Sequence, residues 1–442
     1  MKQEIRERIE KIRKGEVPEG YRKTKVGIIP GDWDVKKFGR LAKFKNGLNF
    51  IKNNGKEIVK IIGVSGFQKN ITPQNNSFEN IIIDRKLNDD ELLKKEDLLF
   101  VRSNGNRKLI GRCLYINKII SSTSFSGFTI RARIKSNEIE ALYCAYLFHF
   151  YPIKKQIFIL GGGTNISNLS QEILSEINIQ FPQEINERNI IINILSNWDK
   201  AIELNETLIE EKKKLRSAIV NDLLFGLKRF DEFIKSHQYK HTKYIRIPED
   251  WEYIKIGEIA TEVSEKNGDN DDLPVLSCTK YEGLVDSLSY FKRQVFSEDI
   301  STYKQVKKNH FVYATNHIDE GSIGCQNLYE NALVSPMYTV FKTNSKVNNH
   351  FLFNLLKTRL YIFIYQVNMS ASVDRRGSLR WNEFSEIRIP LPDITEQDKI
   401  VEFIRLFDNN IELLKSELIH LKEQKKGLMQ LLLTGIVRVE VD

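Results

Sequence analysis

The chain has 442 residues, 41% of them hydrophobic and 28% charged, and carries a net charge of +9 from 67 Lys and Arg against 58 Asp and Glu. A single core stops growing at about 250–300 residues, so this length implies two or three domains, and the composition excludes a largely disordered chain. No apolar run of about 18 residues and no secretion leader near Met1 are present, so the chain is expected in the cytoplasm, and its modest basicity suits a phosphate-bearing partner without requiring one.

Residues 1–20, MKQEIRERIEKIRKGEVPEG, read as a helical leader. The next stretch, YRKTKVGIIPGDWD at 21–34, returns as YKHTKYIRIPEDWE at 239–252, with Tyr21/Tyr239, Thr24/Thr242, Lys25/Lys243, Ile29/Ile247, Pro30/Pro248, Asp32/Asp250 and Trp33/Trp251 in register. The chain therefore repeats itself. In the following WDVKKFGRLA and WEYIKIGEIA, Val35, Phe38, Tyr253 and Ile256 are spaced to turn inward from a short strand. Gly39 and Gly257 are expected to permit a sharp change of direction there, and Trp33 and Trp251 to anchor cores.

The two middles diverge in sequence. Residues 43–168 read as short strands (EIVKIIGV, EDLLFVRS, FTIRARI) with an apolar helix, IEALYCAYLFHFY; residues 261–378 give a comparable series, HFVYATN, MYTVFKT and HFLFNLLKT. Their polar stretches suit nucleic acid. VRSNGNRK carries Arg102, Asn104, Asn106, Arg107 and Lys108, GGGTNIS carries Thr164 and Asn165, HFVYATN ends on Asn316, and SVDRRGSLR carries Arg375, Arg376 and Arg380. Arg and Asn can make paired contacts to guanine and adenine edges, while Lys and glycine-rich backbone position phosphates.

Each half then closes on an Ile-x-Ile strand ending at proline, with Ile177, Ile179 and Pro182 matching Ile387, Ile389 and Pro392. After that proline the period changes. Ile400, Ile404, Phe407, Ile411, Leu414, Leu418, Leu421, Leu428 and Leu432 fall at coiled-coil spacing, interrupted at Lys425. The same seam occurs 209 residues earlier, at Ile191, Leu195, Trp198, Ile202, Ile209, Ile219 and Leu223, with polar Asn205, Lys212 and Arg216. Glu187 and Glu396 lie in the first turns, Thr395 is a candidate cap, and Gly226 and Gly435 are candidate C-terminal stops. Two matched helices of about 40 residues, each roughly 60 Å long, are expected to bury their seams against one another in antiparallel fashion.

Catalytic signatures are missing from the sequence. GGGTN is neither a Walker loop nor a dinucleotide fingerprint, and no Asn-Pro-Pro-aromatic methyltransferase loop occurs. Asp393 with Glu423 and Lys425 would make an acidic nuclease set, but two of the three lie far along the second helix. The cysteines Cys113, Cys144, Cys278 and Cys325 stand well apart, with no CxxC pair and no histidine at ligand spacing, so buried thiols are expected and no metal site.

With two IPxDW phrases, two strand-to-proline passages and two helices ending LLFG and LLLTG, the chain resembles the specificity subunit of a type I restriction-modification enzyme over nearly its whole length. The phrase TEQDKIVEFI…LFDNNIELL…KKGLMQLLLTG is the most specific part. The resemblance implies an α+β chain of two similar mixed α/β target recognition domains separated by two long antiparallel coiled-coil helices with pseudo-two-fold symmetry. Its expected segments are the leader 1–20, recognition domain 21–182, spacer helix 183–228, recognition domain 229–392 with its lead-in, and spacer helix and tail 393–442.

It further implies a non-catalytic subunit that binds double-stranded DNA, each domain reading half of a bipartite site. Two modification (methyltransferase) subunits would dock on the helices, and restriction and translocase subunits would join them. S-adenosylmethionine, ATP and Mg are expected only in those partners. A self-contained restriction or methylation enzyme and a coiled-coil scaffold for binding proteins are the rival readings from other classes.

Overall fold

The computed structural model describes residues 3–49, 57–67, 70–74, 77–119, 121–162, 168–268, 272–369 and 377–440. Two compact units emerge: residues 1–206 with 417–442, and residues 207–416. Each long helix contributes to both.

The first unit opens with helix α1 (Gln3–Arg13), followed by the hairpin β1 (Tyr21–Thr24) and β2 (Gly27–Pro30), which contains the first copy of the repeated phrase. Strand β3 (Trp33–Lys37) leads into a helical turn, α2 (Phe38–Leu41), and then β4 (Ala42–Asn46), β5 (Glu57–Ile62), β6 (Phe78–Ile83), β7 (Leu98–Val101), β8 (Cys113–Tyr115), β9 (Thr123–Phe125) and β10 (Thr129–Ile134). These build a four-stranded antiparallel sheet, β4-β10-β7-β8, and a three-stranded sheet, β6-β5-β9, in which β5 and β9 run parallel. Helices α3 (Ala141–His149), α4 (Tyr151–Leu160) and α5 (Gln171–Glu176) follow, and β11 (Asn178–Pro182) returns to pair with β3. The apolar helix expected from IEALYCAYLFHFY thus ends at Phe150, and a second helix starts at once with Pro152 in its first turn, where a missing N–H costs nothing.

Helix α6 (Ile185–Leu224) leads into the second unit. There come the hairpin β12 (Tyr239–His241) and β13 (Arg246–Pro248), then β14 (Glu252–Lys255), β15 (Ala260–Val263), β16 (Val275–Thr279), β17 (Gly283–Asp286), α7 (Ser287–Phe291), β18 (Lys304–Lys307), β19 (Phe311–Ala314), β20 (Ile323–Cys325), β21 (Asn331–Val334) and β22 (Tyr338–Thr343). Helices α8 (Asn349–Leu356), α9 (Arg359–Asn368) and α10 (Trp381–Ser385) precede β23 (Arg388–Leu391), which pairs with β14, and the chain continues as α11 (Ile394–Leu432). The sheet β15-β22-β19-β20 repeats β4-β10-β7-β8 strand for strand, and β17-β16-β21 repeats β6-β5-β9, including the parallel pair. Strand β18 adds a fourth strand to the second of these sheets.

Trp33 and Trp251 are both 1% exposed and sit in the two main cores. Phe38, Phe100 and Phe148 meet at ring distances of 4.6–6.2 Å in the first, and Phe311 stacks on Phe341 in the second. Phe38 and Ile256 are fully buried as expected, whereas Val35 and Tyr253 are half-buried. Gly39 is needed for a reason other than the expected one. Its backbone has no left-handed conformation, but a Cβ there would lie 1.9 Å from the Ser175 hydroxyl, so glycine lets α2 and α5 pack closely; Gly257 faces Ser385 with more room, an added Cβ lying 3.3 Å from the serine Cβ.

The long helices pair antiparallel within each unit. In the first, Asp199 pairs with Lys425, and Asn205 donates to Glu417 at 3.3 Å. In the second, Arg216 grips Asp408 through two bonds of 2.5 and 2.8 Å. The seam positions Trp198, Ile202, Ile209, Ile219, Phe407, Ile411, Leu414, Leu418, Leu421 and Leu428 are buried or half-buried, as is Asn205. The outer positions have a second role: Ile191, Leu195 and Leu432 enter the first globular core, and Leu223, Ile400 and Ile404 the second. Thr395 is not a cap. It lies inside α11, and the Glu396 and Gln397 amides bond to the Asp393 carbonyl, which starts the helix ahead of Thr395.

Candidate nucleic-acid interface

In the first domain the loop after β7 carries five of the predicted residues. Arg102 is half-buried; its amide donates to the Phe128 carbonyl at 2.8 Å, its carbonyl accepts from Leu169 at 2.7 Å, and its guanidinium reaches the Gly127 carbonyl. The Asn104 side-chain oxygen accepts from the Asn106 amide at 2.8 Å, and that of Asn106 from the Lys108 amide at 3.1 Å. These asparagines therefore shape the loop through their side-chain oxygens. Arg107 and Lys108 are exposed on the short turn that follows.

Two hollows flank this loop. A cavity of about 240 Å³ is lined by Arg107, Lys108, Arg112 and Lys154 beside Ile157 and Phe158 of α4. Burial, reinforced by the charge of Arg112, pulls the Lys154 ammonium below the usual lysine range. Four cations around one small hollow suit an anion such as a phosphate. The other hollow is a cleft of about 760 Å³ lined by Asn49, Glu79, Ser103, Asn104, Gly127 and Phe128, among others. Arg112 and Lys154 are absent from the sequence-based selection: they come from separate elements and meet only because α4 packs beside the β7–β8 loop.

The second domain arranges the matching loop in the same way. The Thr315 carbonyl accepts from Leu379 at 2.9 Å, just as Arg102 accepts from Leu169, which brings the segment of half-buried Asn316 beside that of exposed Arg380. Arg380 stands at the N-terminal cap of α10. Thr164, Asn165, Arg375 and Arg376 lie outside the described residues. Their runs occupy equivalent places in the chain, between α4 and α5 and between α9 and α10.

At the foot of each domain the chain builds one arrangement twice. Arg438 joins Glu187 and Asp32 in the first unit, and Arg229 joins Glu396 and Asp250 in the second. Tyr21 donates to the Gly435 carbonyl at 2.6 Å, and Tyr239 to that of Gly226 at 3.1 Å. Both glycines are left-handed, with φ of +69° and +66°, and press against Pro30 and Pro248. The chain's own beginning and end thus make in the first unit the junction that residues 226–251 make in the second. Glu187 and Glu396 are legible in sequence as first-turn acids, whereas their arginine partners are not selected. The Gly-x-x-Arg spacing shared by Gly226/Arg229 and Gly435/Arg438 is the signal that marks them.

Among the described residues no group of three or more His, Cys, Asp or Glu is placed to hold a metal ion, and no helix is long and apolar enough to cross a membrane. Asp393 pairs with Lys235 and Lys425 with Asp199, so two members of the acidic set considered from the sequence are engaged elsewhere. Cys113 and Cys144 are buried and Cys278 and Cys325 half-buried, all as free thiols; burial pushes Cys278 up to about 12.

A family model described as type I restriction modification DNA specificity domain matches residues 30–213 and again 248–423. The chain is 24% identical over 460 residues to the putative type I restriction enzyme MjaX specificity subunit of Methanocaldococcus jannaschii, covering 96% of this chain and 97% of that one. It is 25% identical over 440 residues to the MjaVIII specificity subunit of the same organism, covering 93% and 94%. Among solved structures, a chain from work on complex assembly and conformational transition of the type I R-M system has a TM-score of 0.58 at 12% identity, covering 92% of this chain and 99% of that one.

Proposed function

This chain belongs to the type I restriction-modification DNA specificity family, and from that premise we propose how its two domains divide the work of sequence recognition. Each domain reads one half of a bipartite site in double-stranded DNA. The observation that carries this is the strand-for-strand equivalence of β4-β10-β7-β8 and β15-β22-β19-β20, combined with different side chains on the matching loops. One scaffold with two sets of readers is what two unlike half-sites require. In the first domain Asn104 and Arg102 stand nearest to base edges, with Arg107, Lys108, Arg112 and Lys154 on phosphates; in the second, Asn316 and Arg380 take these parts, and the runs holding Thr164, Asn165, Arg375 and Arg376 complete both surfaces.

The paired helices set the spacing between half-sites and receive two modification subunits. In the second unit Leu208 and Leu215 on α6, and Leu406 and Leu413 on α11, are 43–69% exposed. Each pair is one heptad apart and so shares a helix face, an apolar stripe outside the seam that a partner helix would cover. The chain itself is non-catalytic and works in the cytoplasm on the cell's DNA. Methyl transfer from S-adenosylmethionine and the ATP- and Mg-dependent steps belong to the modification and restriction subunits.

The experiment is to assay the purified chain alone and with its modification subunits on duplex DNA, supplying S-adenosylmethionine, ATP and Mg. Alone it neither methylates nor cleaves; together they methylate a bipartite site, with salt-sensitive binding. Activity that copurifies with the chain alone would overturn the division of labour.

A further inference from the structure

The turn between β9 and β10, Ser126-Gly127-Phe128, and the turn between β21 and β22, Ser335-Pro336-Met337, occupy the same place in the two domains. Each is closed by the same bond, Thr129 N–H to the Ser126 carbonyl at 2.9 Å and Tyr338 N–H to the Ser335 carbonyl at 3.0 Å. Each is also tied to the residue directly after the central strand. The Phe128 carbonyl accepts from the Arg102 amide, and the Met337 carbonyl from the Thr315 hydroxyl at 3.2 Å. The backbone of both tips is therefore fixed, yet the side chains are 62% and 64% exposed.

A large apolar side chain left mostly in water on a fixed turn gains little from burial in its own domain. Two diverged sequences place one at the same turn, next to the loops that carry Asn104 and Asn316. Phe128 also lines the 760 Å³ cleft together with Asn104 and Ser103. Neither Phe nor Met can hydrogen-bond a phosphate strongly, so the surfaces on DNA that suit them are the thymine methyl and the faces of unstacked base steps.

We propose that Phe128 and Met337 are equivalent apolar base contacts, one for each half-site, set beside the polar readers of the same domain. This rests on the reading of both domains as DNA-reading modules. Because the tips differ in shape on turns closed by the same hydrogen bond, they contribute to the difference between the half-sites.

The test uses the complex of this chain with its modification subunits, comparing wild type with Phe128→Ala, Met337→Ala and the bulk-retaining Phe128→Leu and Met337→Leu. Binding to the cognate duplex and to single-base variants is measured across a salt series. Each alanine variant is expected to weaken cognate binding by about tenfold and to relax preference at one position of its own half-site. The slope of affinity against salt stays unchanged, because every cation on a phosphate remains in place; the leucine variants retain most of the affinity. Unchanged affinity and preference, an equal loss on every sequence, a lowered salt slope, or a loss confined to assembly with the modification subunits would overturn the proposal. If the wild-type complex itself shows no sequence preference, the failure lies with the DNA-reading assignment.

Discussion

Arg229 and Glu396 meet at 2.8 Å with side chains only 5% and 3% exposed, joining the chain just beyond the end of one long helix to the first turn of the other. Burial works against the Arg229 charge, but the hydrogen bonds it donates to Glu396 and Asp250 more than offset it and raise its pKa above the usual arginine value. Removing one partner strands the other charge in the core. Arg229→Ala should therefore cost about 3–5 kcal/mol in unfolding free energy. Arg438→Ala at the equivalent site should cost less, because the Arg438 side chain is 37% exposed and water can reach Glu187 once it is gone. Denaturant unfolding of both variants checks the order.

Gly226 and Gly435 combine a left-handed backbone with contact to a proline, since an added Cβ would lie 2.5 Å from Pro248 and 2.4 Å from Pro30. Gly226→Ala and Gly435→Ala should each destabilise by more than the roughly 1–2 kcal/mol of left-handed strain alone. Gly427 lies in mid-helix with open space around it. Gly427→Ala should stabilise by up to about 1 kcal/mol, and thermal unfolding of the three variants separates these outcomes.

How much of the molecule is legible in its sequence depends on whether partners lie on one periodic element. Trp33, Ile179, Ile389 and the heptad seam repeat at strand or helix spacing, and the structure buries or half-buries them as that spacing implies. The Arg229–Glu396 pair joins residues 167 positions apart, and Lys154 meets Arg112 only through the packing of α4, so neither contact has a local period to reveal it. Thr395 shows the opposite error: it is a good capping residue type, but the chain has already turned helical at Ile394.

Glu91 accepts two bonds of 2.7 Å from Arg85 and one from the Asn88 amide, and the arginine contact above all holds its carboxyl down to about 2 from an ordinary 4.5. A depressed folded-state pKa contributes stability that is fully present above the unfolded value and is lost as pH falls through the folded one. The stability gap between wild type and Glu91→Gln should thus hold from neutral pH down to about 5 and shrink as pH drops below 4.5 toward 2. Melting temperatures across that range report it; a gap that widens on acidification would contradict the assignment.

Asn205 is 8% exposed in the helix seam, and its side-chain oxygen has no hydrogen-bond partner. A polar residue at such a position fixes register at a cost in stability. Asn205→Leu should raise the melting temperature while broadening the distribution of helix registers, which disulfide trapping between introduced cysteines on α6 and α11 would detect.

If Arg107, Lys108 or Lys154 holds a phosphate, neutralising it should weaken binding about equally on all sequences, and the salt slope should fall by about 1 for each cation so removed. Arg380→Ala and Asn316→Ala should instead relax one half-site, by about 1–3 kcal/mol for a paired hydrogen bond to a base. A salt titration of each variant on cognate and scrambled duplexes tells the two classes apart.

Inserting one heptad after Asn205 and another after Leu414 keeps the seam in phase and lengthens each helix by roughly 10 Å. If the helices set the spacer, the preferred gap should grow by about three base pairs at 3.4 Å per step, while both half-site sequences stay the same. A changed half-site would contradict that role for the helices.

The most direct measurement is methylome sequencing of cells that express this chain with its modification subunits, beside cells in which residues 21–182 are replaced by the corresponding domain of a relative. The account predicts a bipartite methylated motif that is absent without the gene, and an exchange that rewrites one half while leaving the gap and the other half intact. A motif that survives the exchange unchanged, or one altered in both halves, would contradict it.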